Sequence, residues 1–216
     1  LLGELRGRAR FDGLVGTDAL IMDGALKGRR ESDAAVEAIQ AGADLLLYPN
    51  DPRRVRDALA AALSSGTLTR ERLDESLAEM RRAQELDPLS LIISAELAEE
   101  FLIAHRYDEA IKQSRKTMAL DPFFAVAHFE LGQAFVQKHS YNEAIAEFQK
   151  AIELSGGSIP CTSDLAYAYA VSNKRNKALK ILNDLKTRST RNASEIALMY
   201  VGLGEKDQAM KWLEKA

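Results

Sequence analysis

An internal repeat runs through the second half of the chain and constrains its fold more than any other feature. The segments RYDEAIKQSRKTMALDP and SYNEAIAEFQKAIELSG align with Tyr107 over Tyr141, Glu109 over Glu143 and Ala110 over Ala144, an offset of 141 − 107 = 34. The same step carries Ala144 to Ala178. One helix upstream, Leu97-Ala98 with Phe101 recurs as Leu131-Gly132 with Phe135 and as Leu165-Ala166 with Tyr169. A fourth unit reads Ile196-Ala197 with Tyr200 and then Ala209, three residues early because the segment around Thr190 is short. Self-similarity at such a period marks a supersecondary unit that buries its apolar face only by stacking on its neighbours.

The pattern has a steric meaning. A small residue at Ala98, Gly132, Ala166 and Ala197 lets the first helix of each hairpin approach the second at Ala110, Ala144, Ala178 and Ala209. The leucine and aromatic positions one face round fill the space between hairpins. Asp87-Pro88 and Asp121-Pro122 end second helices, because proline cannot continue the hydrogen-bond ladder. Gly156-Gly157 takes the place of Asp-Pro one unit later and supplies the turn by its backbone freedom. Trp212, in the last helix, is expected to cover the end of the array.

These residues resemble the tetratricopeptide repeat family from Asp87 to Ala216. The resemblance implies an α-solenoid with a concave groove lined by the first helix of each hairpin. The groove positions it implies are Ile92, Ala95, Glu99 and Leu102, then Val126, Phe129, Gln133 and Val136, then Ser163, Tyr167 and Val171. Members that grip a terminal carboxylate use Lys, Arg and Asn at such places, whereas these are apolar or acidic. An apolar or amphipathic protein segment is therefore the expected partner. Phe129 is expected to face the groove and Phe135 to lie between helices; the alternative for Phe129 is packing in the solenoid core.

The first eighty residues have a different texture. FDGLVGTDALIM contains a β-like run, Gly13 to Thr17, and DLLLYPN, Asp44 to Asn50, is a second, each bounded by turn residues. Between them a helix is expected over Asp33 to Ala43, and after them another over Pro52 to Leu63, capped by Asp51 and stopped at Gly66. The order strand, helix, strand, helix indicates parallel pairing with crossover helices.

FDGLVGTDALIM, AVEAIQAGADLLLYPNDP and SGTLTRERLDESLAEM resemble the family-three glycoside hydrolases, in particular the bacterial β-N-acetylhexosaminidase branch. The resemblance implies the seventh and eighth strand-helix units of a (β/α)8 barrel, roughly its last quarter, over residues 1–83, with the repeats occupying 84–216. The fold class expected is mainly α: a helical-hairpin solenoid preceded by a small βαβα segment. In the family the Asp of the T-D-x-L stretch is the glycosidic nucleophile, which maps onto Asp18. A retaining glycosidase needs a second carboxyl group as general acid and base. The family carries that loop on earlier strands, so the resemblance supplies none here, and Asp18 is otherwise read as a turn or helix cap. Two parallel strands also expose two sheet edges, which would invite pairing with a second copy of the chain.

The helix from Arg70 to Leu86 belongs to both halves. In repeat register Ala83 aligns with Thr117 and Pro88 with Pro122, since 117 − 83 = 122 − 88 = 34. No glycine-serine linker separates the halves, so a continuous junction is expected, whether from natural fusion or gene assembly.

Composition excludes other classes. With 29 Lys and Arg against 32 Asp and Glu, the chain lacks the basic surface that displaces counterions from nucleic acid. No apolar run approaches the roughly 18 residues of a membrane span. Cys161 is the single cysteine, so no intrachain disulfide forms and a reducing, cytoplasmic setting is expected. The opening Leu1-Leu2-Gly3-Glu4 has no initiator methionine or signal-peptide pattern and reads as a piece of something longer. No phosphate loop, His-Glu-x-x-His helix or Cys-x-x-Cys pair is present, so no cofactor or metal is expected. His105, His128 and His139 are read as occupying separate helical positions.

Overall fold

The structure is a computed structural model that describes residues 11, 13, 15–17, 26, 28–46, 52–188 and 192–215. The chain forms two compact units, Leu1–His105 and Arg106–Ala216.

In the first unit the expected parallel pairing appears as a single bridge, Gly16 with Leu45. The Thr17 amide donates to the Leu45 carbonyl at 2.9 Å and the Asp44 amide to the Val15 carbonyl at 2.7 Å. The remainder of the expected second run, residues 47–50, lies outside the described residues. Helix α1 (Glu31–Gln40) starts two residues ahead of expectation, because Arg30 is extended and Asp33 and Glu31 place negative charge in the first turn. The turn after it passes through Gly42 at φ 109°, a conformation that only glycine adopts readily. Helix α2 (Pro52–Ser64) stops before Gly66, also in the left-handed region at φ 75°.

Helix α3 (Arg70–Leu86) is N-capped by Thr69, whose hydroxyl accepts from the Arg72 amide. Its inner positions Leu73, Leu77 and Met80 are buried with Val15, Ile39, Val55 and Leu59. Ser90 caps helix α4 (Leu91–Ile103) by accepting from the Ile93 amide.

Every secondary-structure element among the described residues of the second unit is a helix: α5 (Tyr107–Leu120), α6 (Ala125–Gln137), α7 (Tyr141–Ser155), α8 (Ile159–Val171), α9 (Arg175–Arg188), α10 (Ala193–Gly202) and α11 (Lys206–Leu213). The small residues do what their register implies. Gly132 on α6 and Ala144 and Ala178 on the second helices are buried, and the ring of Phe148 fills the space above Gly132. A second cluster joins Ala166, Leu182, Leu185, Ile196, Met199, Tyr200 and Ala209, and Trp212 packs against it with Lys215 4.4 Å over its ring. Trp212 therefore covers the end of the core, as expected.

Two regularities were not read from the sequence. The turn within each hairpin passes through the left-handed region at His105, His139, Asn173 and Gly204, with φ between 58° and 76°. His105 and His139 thus sit in turns and not on helices; histidine and asparagine are among the residues that tolerate this conformation. The other is a constant step between successive hairpins, with 101 − 81 = 135 − 115 = 169 − 149 = 20. Arg81 of α3 lies over the Phe101 ring of α4 at 5.2 Å, Arg115 of α5 over Phe135 of α6 at 6.0 Å, and Gln149 of α7 donates to the Tyr169 hydroxyl of α8. Helix α3 therefore meets α4 as α5 meets α6, even though its sequence is also that of the hydrolase-like segment.

Candidate functional site

The groove positions implied by the repeats fall on α4 in the first unit and on α6 and α8 in the second. On α4, Ile92 is exposed and Glu99 half-buried, while Ala95 and Leu102 are buried among the core residues. On α6, Val126 is exposed and Gln133 half-buried. On α8, Tyr167 and Val171 are half-buried and Ser163 is fully buried, its hydroxyl donating to the Pro160 carbonyl. Ala95, Leu102 and Ser163 thus contribute packing and little surface.

Phe129 and Val136 differ from the expected open placement. Both pack, with Phe135, against the cluster of Ala144, Ile145, Phe148, Leu165, Ala168, Tyr169 and Ala178. The Phe129 ring lies 6.0 Å from that of Phe148 at 49°. The cause is Gly132, one turn along α6: with no side chain there, Phe148 rises against the helix and Phe129 closes over it. The core alternative for Phe129 is the one this geometry favours.

Gln133 and Tyr167 form a polar set in the second unit with Tyr141, already marked by the repeat register, and Asp164, which the sequence did not single out. Gln133 Nε2 donates to Asp164 Oδ2 at 3.1 Å. Burial, then the neighbouring Tyr141 and Asp164, raises the Tyr167 hydroxyl above the ordinary tyrosine pKa. Tyr141 in turn shares a 2.7 Å hydrogen bond with His139 Nδ1. A signal for Asp164 existed: Glu96, Glu130 and Asp164 recur at 130 − 96 = 34 and 164 − 130 = 34. Glu130 and Asp164 are buried and Glu96 is half-buried.

The second unmarked feature is apolar. Leu86, Leu89 and Ile92 are exposed around the α3–α4 turn, and Leu120, Phe123 and Val126 around the α5–α6 turn, each one repeat period from its counterpart. Leu86 is 83% and Phe123 70% exposed, values that no packing requirement explains. The Asp121 carboxylate accepts from the Phe123 amide at 2.8 Å and holds the second turn. Beside it, His128 Nε2 donates to the Pro122 carbonyl at 3.0 Å while Nδ1 faces Glu147 at 2.7 Å, tying the turn to α7. His128 is therefore a buried brace.

Asp18 lies outside the described residues; Gly16 and Thr17, which lead to it, form the parallel pairing with Leu45. Among the described residues no group of three His, Cys, Asp or Glu could hold a metal ion, and no helix is long and apolar enough to cross a membrane. Cys161, the single cysteine, is buried.

Helices paired in sequence order, a small-residue register and an aromatic end cover define a helical-repeat array. Comparison with known proteins specifies it. Residues 125–157 and 194–216 match the tetratricopeptide repeat family model, and residues 1–83 match the glycosyl hydrolase family 3 N terminal domain. The chain thus carries tetratricopeptide repeats, a scaffold for protein interaction, alongside a segment similar to the family-three hydrolases.

Solved structures of similar fold include a thermophilic repeat protein of Thermus thermophilus, at 20% identity and TM-score 0.57, covering 73% of this chain and 86% of that one. A repeat protein of Parabacteroides merdae covers 86% of this chain and 70% of its own at 17% identity and TM-score 0.56. MamA covers 72% and 90% at 23% identity and TM-score 0.51. At these identities the likeness shows the fold alone. Among curated proteins none matches.

Proposed function

We propose that the repeats bind an apolar or amphipathic segment of a partner protein, and that the contact runs along the turn and first-helix edge marked by Leu120, Phe123 and Val126. The observation that carries this reading is the recurrence of exposed apolar residues at those positions and at Leu86, Leu89 and Ile92. Apolar side chains left in water at matching places in a repeat cost solubility without contributing to the core, and contiguous patches of this kind mark contact sites.

A peptide-display selection on the full chain tests it. Enriched peptides should be apolar along one face, and Phe123→Asp should weaken them by about ten- to a hundredfold. Burying such a ring contributes about 1.5 to 3 kcal/mol, and each 1.4 kcal/mol is about tenfold. Phe123 is exposed, so circular dichroism and melting should be nearly unchanged. Peptides that bind the variant as well as the wild type would remove the edge from the reading.

The family-three match and the Gly16–Leu45 bridge favour a second reading for residues 1–83, a β-N-acetylhexosaminidase-like segment with Asp18 as nucleophile. A retaining site also needs a general acid about 5 Å from the nucleophile, and removing such a group costs about two to four orders of magnitude. The expected result is no measurable hydrolysis of a chromogenic N-acetylglucosaminide by the 216-residue chain. Turnover that vanishes in Asp18→Asn would instead establish the enzyme.

A further inference from the structure

We propose that the exposed face of the α10–α11 hairpin docks an α-helix of a partner protein, one that presents a large aliphatic residue, an apolar residue three positions on and a tyrosine four positions on. The face consists of Val201 on α10 and Met210 and Leu213 on α11, which are 53%, 58% and 48% exposed. None of the three belongs to the turn edge marked by Phe123, so the two surfaces stand or fall separately.

The preceding hairpins show what these positions do. Val201 corresponds to Val136, Met210 to Ile145 and Leu213 to Phe148, since 201 − 136 = 210 − 145 = 213 − 148 = 65, one full period of 34 and the short step of 31. Ile145 and Phe148 are buried in one cluster with Leu165, Ala168 and Tyr169 of α8, and Val136 packs against it. One hairpin on, Leu182 takes the place of Phe148 and is buried with Ile196, Met199 and Tyr200 of α10, while Leu179 takes the place of Ile145 and packs against them. Both covers stand at i, i+3 and i+4 of a first helix, a spacing that puts three side chains on one face. Val201, Met210 and Leu213 continue this internal interface and carry the same apolar chemistry, which a third helix of that pattern would bury.

Polar groups specify the occupant further. The tyrosines of α8 and α10 are held through their hydroxyls by the second helix before them: Gln149 donates to Tyr169 at 3.1 Å, and Lys186 donates to Tyr200. The Gln149 place recurs at Asn183 and then at Glu214, with 183 − 149 = 34 and 214 − 183 = 31. Glu214 is exposed and its carboxylate accepts, so the group that fits it is a donor, the hydroxyl of an incoming tyrosine. Charge agrees with this choice. Helices α8 and α10 carry one carboxylate each, Asp164 and Glu195, and no lysine or arginine, whereas α11 exposes Lys206 and Lys211. A second α11 fits poorly, because its own i, i+3 and i+4 positions are Met210, Leu213 and Glu214 and bring glutamate where the tyrosine belongs.

The probe is a hydrocarbon-stapled peptide of residues 192–204, the helix that covers α9, bridged through positions 194 and 198 on the side away from Ile196, Met199 and Tyr200. Trp212 is the only tryptophan of the chain and adjoins Leu213, so its fluorescence in the full chain reads the titration. A saturable change is expected. Met210→Asp and, separately, Leu213→Asp should weaken it about tenfold or more, the loss of one buried aliphatic contact, while Phe123→Asp should bind as the wild type does. Both side chains are exposed, so circular dichroism should not change. Tyr200→Phe in the peptide should weaken binding to the wild-type chain and leave binding to Glu214→Ala unaltered. No saturable change overturns the proposal, as does undiminished binding by both aspartate variants. A dimer of the full chain in sedimentation equilibrium that Met210→Asp dissolves would assign the face to a second copy and overturn it as well.

Discussion

Arg72→Ala is expected to cost the first unit about 3 to 5 kcal/mol, the range for removing one partner of a buried ion pair. The arginine is a hub. Its Nε donates to the Ile39 carbonyl at 3.0 Å, and one terminal nitrogen donates to the Ala43 carbonyl and to Asp44 Oδ1, both at 2.7 Å. Asp44 is 1% exposed and also accepts from the Ser76 hydroxyl and the Val15 amide. One side chain thus fastens the start of α3 to the end of α1 and to the parallel bridge. Truncation leaves a buried carboxylate without its cation and takes a donor from the Ala43 carbonyl and from the Ile39 carbonyl, which keeps only the Gly42 amide. Hydrogen exchange reads the loss directly: the Asp44 and Leu45 amides, both bonded to the Val15 carbonyl, should exchange far faster in the variant. Arg72→Met with Asp44→Asn, which removes both charges and keeps volume, should lose less than Arg72→Ala. Unchanged exchange at these two amides in Arg72→Ala would show that the ion pair does not hold the bridge.

The hub explains where the sequence was silent. The repeat register was legible because its steric demand is repeated: a small residue at Ala98, Gly132, Ala166 and Ala197 has no competing explanation. A lone Asp44 or Arg72 has many, and only the fold brings the two together across 72 − 44 = 28 positions of chain. The constant step between hairpins was hidden for another reason. Its geometry is preserved while its chemistry changes from Arg with Phe to Gln with Tyr, so matching by residue type fails.

Phe129 shows the limit of helical periodicity. Groove and core positions on α6 differ by a small rotation about the helix axis, and the deciding factor was the missing side chain at Gly132, which drew Phe148 in. The exposed triads at Leu86, Leu89 and Ile92 and at Leu120, Phe123 and Val126 were written in the register. Apolar residues near a repeat turn read as core until their exposure is known. Asp18 depended wholly on resemblance, and it lies outside the described residues.

The sharpest test of the hairpin packing is a reversal of sign at Gly132. A Cβ built there would lie 2.6 Å from Cε1 and 2.7 Å from Cδ1 of Phe148, whose ring is fully buried in the same core. Separations that short force the ring or the helix to move, and overpacking of this kind costs about 1 to 3 kcal/mol. Against it stands the gain of about 1 kcal/mol from replacing glycine by alanine inside a helix. Gly132→Ala is therefore expected to destabilise the second unit on balance. Phe148→Ala alone should cost about 3 to 5 kcal/mol, as the loss of a buried phenylalanine does. In that background the obstruction is gone, so adding Gly132→Ala should become stabilising by up to about 1 kcal/mol. The next hairpin has made the matching exchange: Ala166 stands opposite Leu182 at the same spacing, 182 − 166 = 148 − 132 = 16. Gly132→Ala with Phe148→Leu should accordingly be better tolerated than the sum of its parts. The cycle is measured by urea unfolding followed through Trp212, which packs within this unit. If Gly132→Ala has the same effect with and without the Phe148 ring, the close approach of α6 to α7 does not rest on that glycine.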